Sequence, residues 1–352
     1  EGTRGRRGDT LEVKFLLSTE ISSIYSQAGK GRRIHNLVFA PSFETVEKIN
    51  AELNKRGCNL MSDGRPIIGI SSRDLAELVL TIDENCLIVP AHIWTPWFSL
   101  FGSKSGFDSL EECFQDMSKY IYAIETGLSS SPDMNWRIKE LDSRTILSSS
   151  DAHSPEKLGR EATVFKIKDT KTLKYADIRQ AIIKGAITYT IEFYPQEGKY
   201  HYTGHRNCGI VQSPEETKKL GATCSVCGKK LTIGVMQRIE DLASRPADYQ
   251  PENRPPYKML VPLMEILSES LEIGVSSQKV KLEYDKLINN FGSDFEILLR
   301  TKPEEIAKVT DAKVAEGIVR VRSGQLHIEP GYDGVFGRVK IWSPSTRSGH
   351  KQ

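Results

Sequence analysis

The chain has 352 residues, 38% of them apolar and 27% charged, with a formal net charge of +2. That length can bury a sizeable core in two or three domains, and the composition is that of a globular protein in water. No apolar run approaches the roughly 20 residues of a membrane-spanning helix, no signal peptide opens the chain, and so small a net charge does not by itself argue for nucleic acid.

Charge is unevenly placed. Arg4, Arg6 and Arg7 open the chain, and the stretch from Arg338 to Gln352 carries four basic residues and no acid. Such ends can meet phosphates or stay solvated. Of the six cysteines, Cys58, Cys86 and Cys113 are scattered, while Cys208, Cys224 and Cys227 cluster. Scattered cysteines with no secretory signal read as reduced and buried, which predicts a cytoplasmic protein.

Residues 11–190 alternate short apolar runs with helical periodicity. Leu11–Leu17 reads as a strand ending at Ser18-Thr19-Glu20, followed by a Gly/Lys/Arg-rich loop from Ala28 to Arg33 and a second apolar run over Ile34–Pro41. Phe43–Arg56 is helical, with Val46, Ile49 and Leu53 on one face and Gly57 as its stop. Pro66–Ile70 is a short strand, Ser72–Leu80 a Ser-capped helix, and Cys86–Pro90 a strand leading into Ala91-His92. Leu110–Lys119 is helical, Tyr120–Ile124 leads into Glu125, and Ile146–Ser150 leads into Asp151-Ala152-His153. Strands over Val164–Ile167 and Ala186–Ile191 flank a helix over Tyr175–Lys184. This alternation predicts an α/β fold with a mostly parallel sheet or barrel.

On a strand or its exit loop, positions i and i+2 face one side, so Asp151 and His153 can share a pocket. Alone, such a pair reads first as a turn in which Asp caps the next segment and His lies on the surface. Glu20, His92 and Glu125 also fall at strand ends, and His35 lies at the start of its run. Active sites of α/β folds collect at the carboxyl ends of strands. Glu20, His35, His92, Asp151 and His153 are therefore candidate ligands of one metal centre. Carboxylates bridging ions with imidazoles completing the shells suit phosphate-ester hydrolysis, with Asp151 and His153 as candidate catalytic groups. No phosphate-binding glycine loop, Ser-His-Asp arrangement or dinucleotide fingerprint competes. The loop Ile93–Phe101 carries Trp94, Trp97 and Phe98, candidate platforms for an unstacked base or parts of a packed lid.

His205-x-x-Cys208 and Cys224-x-x-Cys227 are separated by 15 residues, a spacing that predicts a closed, structural zinc site. His201 is the other candidate for the fourth ligand. Arg245–Pro256 reads as a linker or extended loop, helices follow near Leu260–Leu271 and from Lys281, and two short helices over 287–321 look like a helix-hairpin-helix without its usual G-x-G. The domains so drawn are 1–195 (metal-dependent phosphoesterase), 196–245 (zinc module) and 246–352 (helical, DNA-contacting).

Glu20, His35, His92 and the Asp151-x-His153 pair, in that order, resemble the later metal motifs of the PHP (polymerase and histidinol phosphatase) phosphoesterases. With the His205…Cys227 module and Glu329-Pro-Gly-Tyr-Asp-Gly-Val335, nearly the whole chain resembles the endonuclease Q family of that group. The resemblance implies a distorted PHP-type β/α barrel, followed by the zinc module and a helical C-terminal region. It implies two or three divalent ions (Zn2+, Mg2+ or Mn2+), with Glu20 bridging two of them. His35 and His92 would complete the second, Asp151 and His153 would serve the first and third, and Glu125 would be a neighbour. The implied activity is cleavage of DNA 5′ to uracil, hypoxanthine, xanthine or an abasic site. Lesion-bearing DNA is the expected partner, with replication or repair proteins beside it and no membrane.

That family opens with an H-x-H strand, whereas this sequence has no His before His35. The expectation is a fragment that lacks the N-terminal metal motif and is inactive alone. Two other readings stand beside the nuclease: a histidinol-phosphatase-like small-molecule enzyme, against which the zinc module and helical region argue, and a non-catalytic DNA-binding fragment.

Overall fold

The computed structural model describes residues 13–62 and 65–343. Arg4, Arg6, Arg7, Leu11, Glu12 and the tail from residue 344 lie outside them.

The first strand is shifted from its expected place: β1 spans Leu17–Gln27 and runs directly into β2, Lys30–Ala40. The expected loop over Ala28–Arg33 shrinks to a two-residue turn, in which Ala28 and Gly29 both have positive φ, 51° and 72°. That conformation matches the twist of two long antiparallel strands, so the hairpin extends through the Lys/Arg stretch. Glu20 is thus inside a strand, not at its end. Helix α1 (Phe43–Lys55) is capped by the Ser42 hydroxyl, and α2 (Ser72–Ile82) by Ser71, which accepts the Asp74 N–H at 3.1 Å. Between them β3 (Ile67–Ile68) pairs with β1, and β4 (Leu87–Pro90) pairs with β2, for a strand order β3-β1-β2-β4.

The expected helix from Leu110 to Lys119 is α3 only over Leu110–Phe114; Gln115 takes a φ of 50° and a tighter 3-10 turn continues to Tyr120. A left-handed residue cannot propagate an α-helix. Then come β5 (Ala123–Glu125), α4 (Pro132–Trp136), β6 (Thr145–Leu147), β7 (Ala162–Phe165), α5 (Tyr175–Lys184) and β8 (Ile187–Glu192). Helix α5 has its expected limits, closed by Gly185 at φ 63°.

β9 (Thr203–His205), β10 (Ile210–Gln212), α6 (Pro214–Leu220) and α7 (Val235–Leu242) make the cysteine-bearing region. It is not a separate body, because Val235 and Ile239 of α7 are buried in the core that α1, α2 and β1–β4 share. Arg245–Pro256 is the extended loop of the two readings, pinned to the body and not a free linker. Arg245 holds both carboxylate oxygens of Asp142, and Arg254 donates to the carbonyls of Leu141 and Arg144. The chain then returns as β11 (Tyr257–Met259), parallel to β8, before entering α8 (Leu263–Ser270), α9 (Gln278–Phe291), α10 (Asp294–Leu299), α11 (Pro303–Ile306) and α12 (Ala312–Arg322). These helices bury their own core around Ile266, Leu287, Ile297 and Ile318, and β12 (His327–Glu329) pairs with β13 (Arg338–Lys340) beside it.

The fold is mixed α/β, and the expectation of a mostly parallel sheet fails. Among the described residues, β1–β2, β2–β4, β7–β8, β9–β10 and β12–β13 are antiparallel, and only β1–β3, β5–β6 and β8–β11 are parallel. No helix of the described residues is long and apolar enough to cross a membrane.

Candidate metal centre

Ser22 pairs directly with His35 across the hairpin, and Glu20 stands two residues before Ser22. Glu20 and His35 are therefore diagonal neighbours on one face of the β1–β2 ladder. Two residues past β4, His92 reaches the same place. His35 Nδ1 lies 2.7 Å from Glu20 Oε1, His92 Nε2 lies 3.2 Å from the same oxygen, and the two imidazole nitrogens are 3.1 Å apart. Their ligand atoms all lie within 4.8 Å of one another, a donor set of one carboxylate and two imidazoles that fits a borderline divalent metal.

The surroundings fix this geometry. His92 has a φ of 31°, its backbone N–H donates to Glu125 Oε2 at 2.9 Å, and its Nδ1 lies 3.2 Å from Thr95 Oγ1. A partner on the second ring nitrogen sets tautomer and ring orientation. Burial opposes the charge of Glu20, but hydrogen bonds and charge from His35 and His92 outweigh it and hold the carboxyl far below its usual range. Burial pushes His35 down, with the charges of His92 and Arg65 adding to it against the opposing pull of Glu20. For His92 burial is outweighed by Glu20, Glu125 and Asp151, and the ring is pushed up.

Asp151 and His153 do not join this group. β6 stops at Leu147, and Asp151 has a φ of 42°, so the extended-chain rule that would put both side chains on one side does not apply. Asp151 lines a cavity of about 290 Å3 together with His92, Thr95, Lys199, Tyr200 and His201. His153 is 75% exposed, and its Nδ1 turns back to the Asp151 carbonyl oxygen at 2.9 Å. The loop 93–101 also divides. Trp94 is only 1% exposed, donates to Asn135 Oδ1 at 2.8 Å and packs on Phe101, so it cannot be a base platform. Its indole is a core group with a satisfied N–H. Trp97 is 36% exposed and meets Tyr200 edge-on at 5.3 Å; Phe98 packs on His35 at 4.9 Å.

A second group stands apart from the first. His205, Cys208, Cys224 and Cys227 bring four ligand atoms within 4.8 Å, and His205 Nδ1 is 3.5 Å from Cys227 Sγ. His201 is not the fourth member; it is buried, stacks on Tyr202 and faces the cavity. At the turn, Gly228 takes a φ of 71°. Burial works against a Cys224 thiolate, but the amides of Cys227 and Val226, joined by hydrogen bonds from the His205 and Cys227 side chains, outweigh it and bring the thiol down to about 6. Three thiols and an imidazole in this arrangement can hold a metal ion.

Comparison with known proteins identifies the family. Residues 140–187 match the PHP-associated family, and residues 262–325 match the MJ0043 C-terminal domain. The uncharacterised protein YqxK of Bacillus subtilis is 32% identical over 332 residues, 93% of this chain and 78% of its own length. The uncharacterised protein MJ0043 of Methanocaldococcus jannaschii is 33% identical over 252 residues, which is 70% of this chain but only 31% of that longer protein. Two crystal structures superpose closely. The lesion-specific endonuclease PfuEndoQ of Pyrococcus furiosus has a TM-score of 0.78 and 33% identity, covering 90% of this chain and 77% of that one. An endonuclease Q complex with a 27-mer duplex substrate bearing an abasic lesion has a TM-score of 0.79 and 33% identity, covering 94% and 80%. The chain belongs to the endonuclease Q family.

The candidate centre includes groups that sequence reading misses. Arg65 donates to Glu20 Oε2 and stands 3.2 Å from His35 Nδ1. Gly127, at φ 59°, lies so close to His92 that an added Cβ would be 2.3 Å from the His92 Cβ. Beneath the site, Glu125, Glu161 and Glu192 are all buried. Glu161 accepts the Phe193 N–H, and Glu192 accepts the hydroxyls of Thr126 and Ser148. Burial pushes all three carboxyls up, Glu192 to about 8. Glu192 ends β8 as Glu125 ends β5, so extending the strand reading one residue past Ile191 would have found it.

Proposed function

We propose that this chain is the lesion-recognising, metal-dependent body of a DNA repair endonuclease that cuts the strand 5′ to a deaminated base (uracil, hypoxanthine or xanthine) or an abasic site. One observation carries the reading: Glu20, His35 and His92 converge at the edge of a cavity, in a chain that follows an endonuclease bound to abasic-site duplex over 94% of its length. In this reading the strands from β1 to β8 close as a distorted PHP-type barrel. Asp151, on the His92 cavity, and His153 beside it serve the neighbouring metal positions. Zinc fills the His205, Cys208, Cys224, Cys227 group, and the α9–α12 helices contact the DNA backbone.

A divalent ion held by Glu20, His35 and His92 supplies Lewis acidity and charge neutralisation to a phosphodiester. The chain's own residues do the rest. Arg65 fixes the free oxygen of Glu20, Glu125 holds the backbone at His92, and Lys199 lies exposed at the cavity, where a nucleotide phosphate can meet its ammonium. In this reading the damaged nucleotide turns out of the stack into that cavity, where its base edge can be told from that of a normal base. Trp97 meets Tyr200 of that cavity edge-on, and Phe98 packs on His35.

The test is a nicking assay with Mn2+, Mg2+ or Zn2+ on duplexes that carry one uracil, hypoxanthine, xanthine or abasic site, with the cut mapped on a denaturing gel. The expected product is a single cut immediately 5′ to the lesion. Equal survival of lesion-bearing and lesion-free duplex would overturn the reading. In that case a metal content of one zinc per chain would support a non-catalytic DNA-binding role, which the gathering of only three ligands among the described residues favours as the second reading.

A further inference from the structure

A rigid aromatic tip stands at the rim of the same cavity. The segment Gly331–Gly337 folds back on itself through paired bonds between Tyr332 and Val335, at 3.0 and 2.7 Å. Its ends and its middle are stitched to the stretch 196–199, of which Lys199 lines the cavity: Gly331 N–H donates to Gln196 O, Gly337 N–H to Glu197 O, and Gly334 N–H to Lys199 O. Glycine is required where the backbones touch, because a Cβ at Gly337 would lie 2.0 Å from Gln196 O and one at Gly331 2.4 Å from Gly198 O. Asp333 closes the turn by accepting the Arg206 N–H at 2.7 Å and the Thr232 hydroxyl. The loop has little freedom to move.

Yet Phe336 on this loop is 67% exposed. Single exposed apolar side chains are ordinary. This one differs in its setting. The Lys199 ammonium lies 4.5 Å from its ring, and Lys199 and the adjacent Tyr200 line the cavity shared with His92 and Asp151. Trp97 meets Tyr200 edge-on from the other side. A cation and an uncovered ring are thus held rigidly at the mouth of the cavity beside the metal ligands. A duplex supplies what fits both, a phosphate for the ammonium and a base face for the ring.

We propose that Phe336 is a wedge that enters the base stack of duplex DNA at the gap left when the damaged nucleotide moves into the cavity. The inference rests on the DNA-cleaving reading above and deepens it. Apolar side chains inserted at a base step replace the lost stacking and keep the duplex open. Phe336 touches bases and not the reacting atoms, so its role is positioning.

The test uses the full chain and a duplex with 2-aminopurine opposite an abasic site, together with a single strand bearing the same lesion. Wild type is expected to raise the 2-aminopurine fluorescence at saturation. Phe336→Ala should lose most of that rise and weaken duplex binding about tenfold, within the range of one base–aromatic stack. It should leave single-strand binding and the melting temperature unchanged, and Phe336→Trp should restore the signal. An equal rise with Phe336→Ala, equal loss on single and double strands, or no rise with wild type would each overturn the wedge. The two readings fail separately. Unstacking without nicking keeps the wedge and removes the nuclease, whereas nicking that is indifferent to Phe336 does the reverse.

Discussion

The two ligand groups of this chain are built on opposite principles. His205, Cys208, Cys224 and Cys227 come from one short stretch folded on itself, and the amides that meet Cys224 are those of Val226 and Cys227, two of its near neighbours in sequence. Glu20, His35 and His92 come from a hairpin and a distant strand exit, and their geometry depends on Glu125, Gly127, Thr95 and Arg65. A local site can be specified by spacing; a distributed one must be specified by the fold. The local group should therefore bind its metal tightly and independently, and the distributed one should be easier to empty and more sensitive to remote change.

The largest expected effect breaks that contrast at its centre. Glu20→Gln should lower lesion nicking by more than about a hundredfold, since changes merely behind a ligand already cost about 10–100-fold, while the one zinc per chain of the cysteine group stays bound. Elemental analysis of the purified variant beside the nicking assay checks both halves. Next, Trp94→Ala should cost about 3–5 kcal/mol in chemical denaturation, as for any large core aromatic, whereas the exposed Trp97→Ala should leave stability alone and weaken DNA binding. Equal stability of the two variants would remove the division of the loop into core and rim. Dialysis against a moderate chelator sharpens the comparison further: activity should disappear first, and the cysteine-bound metal should leave only with loss of folded signal.

The smallest effect concerns the acids beneath the site. Glu192 titrates near 4.5 when unfolded and is pushed to about 8 by burial in the fold. The folded state then holds more protons than the unfolded state between those values, so the contribution is intact below pH 4.5 and is lost as pH rises through about 8. Glu192→Gln removes this dependence. Its melting temperature should gain on the wild type by a few degrees at pH 8 and by nothing at pH 5. A constant difference across that range would show that Glu192 is not the group responsible.

Much of this was legible in the chain. The cysteine group was readable because its ligands lie close in sequence, and α5 because Gly185 closes a clear helical period. Glu20, His35 and His92 were found as chemistry but misplaced as structure. The sequence pattern puts Glu20 at a strand end because nothing in the basic stretch Ala28–Arg33 marks the tight turn at Ala28-Gly29. The Asp151-x-His153 pair misled for a related reason, since alternation holds only where the chain is extended and Asp151 is left-handed. Arg65, Gly127 and Glu161 had no local signature at all; each matters through a partner far away in sequence. Trp94 and Trp97 are three positions apart, and only the packing against Phe101 and Asn135 tells them apart.

The return of the chain as β11 beside β8 has a kinetic consequence. Thr190 must find Tyr257 across the whole cysteine-bearing stretch before the sheet is complete. The entropy of closing a loop grows with its free length. A metal held by His205, Cys208, Cys224 and Cys227 would tie off part of that stretch beforehand. Refolding from denaturant should accordingly be faster with zinc present than without it, with the gain in the folding arm of the chevron.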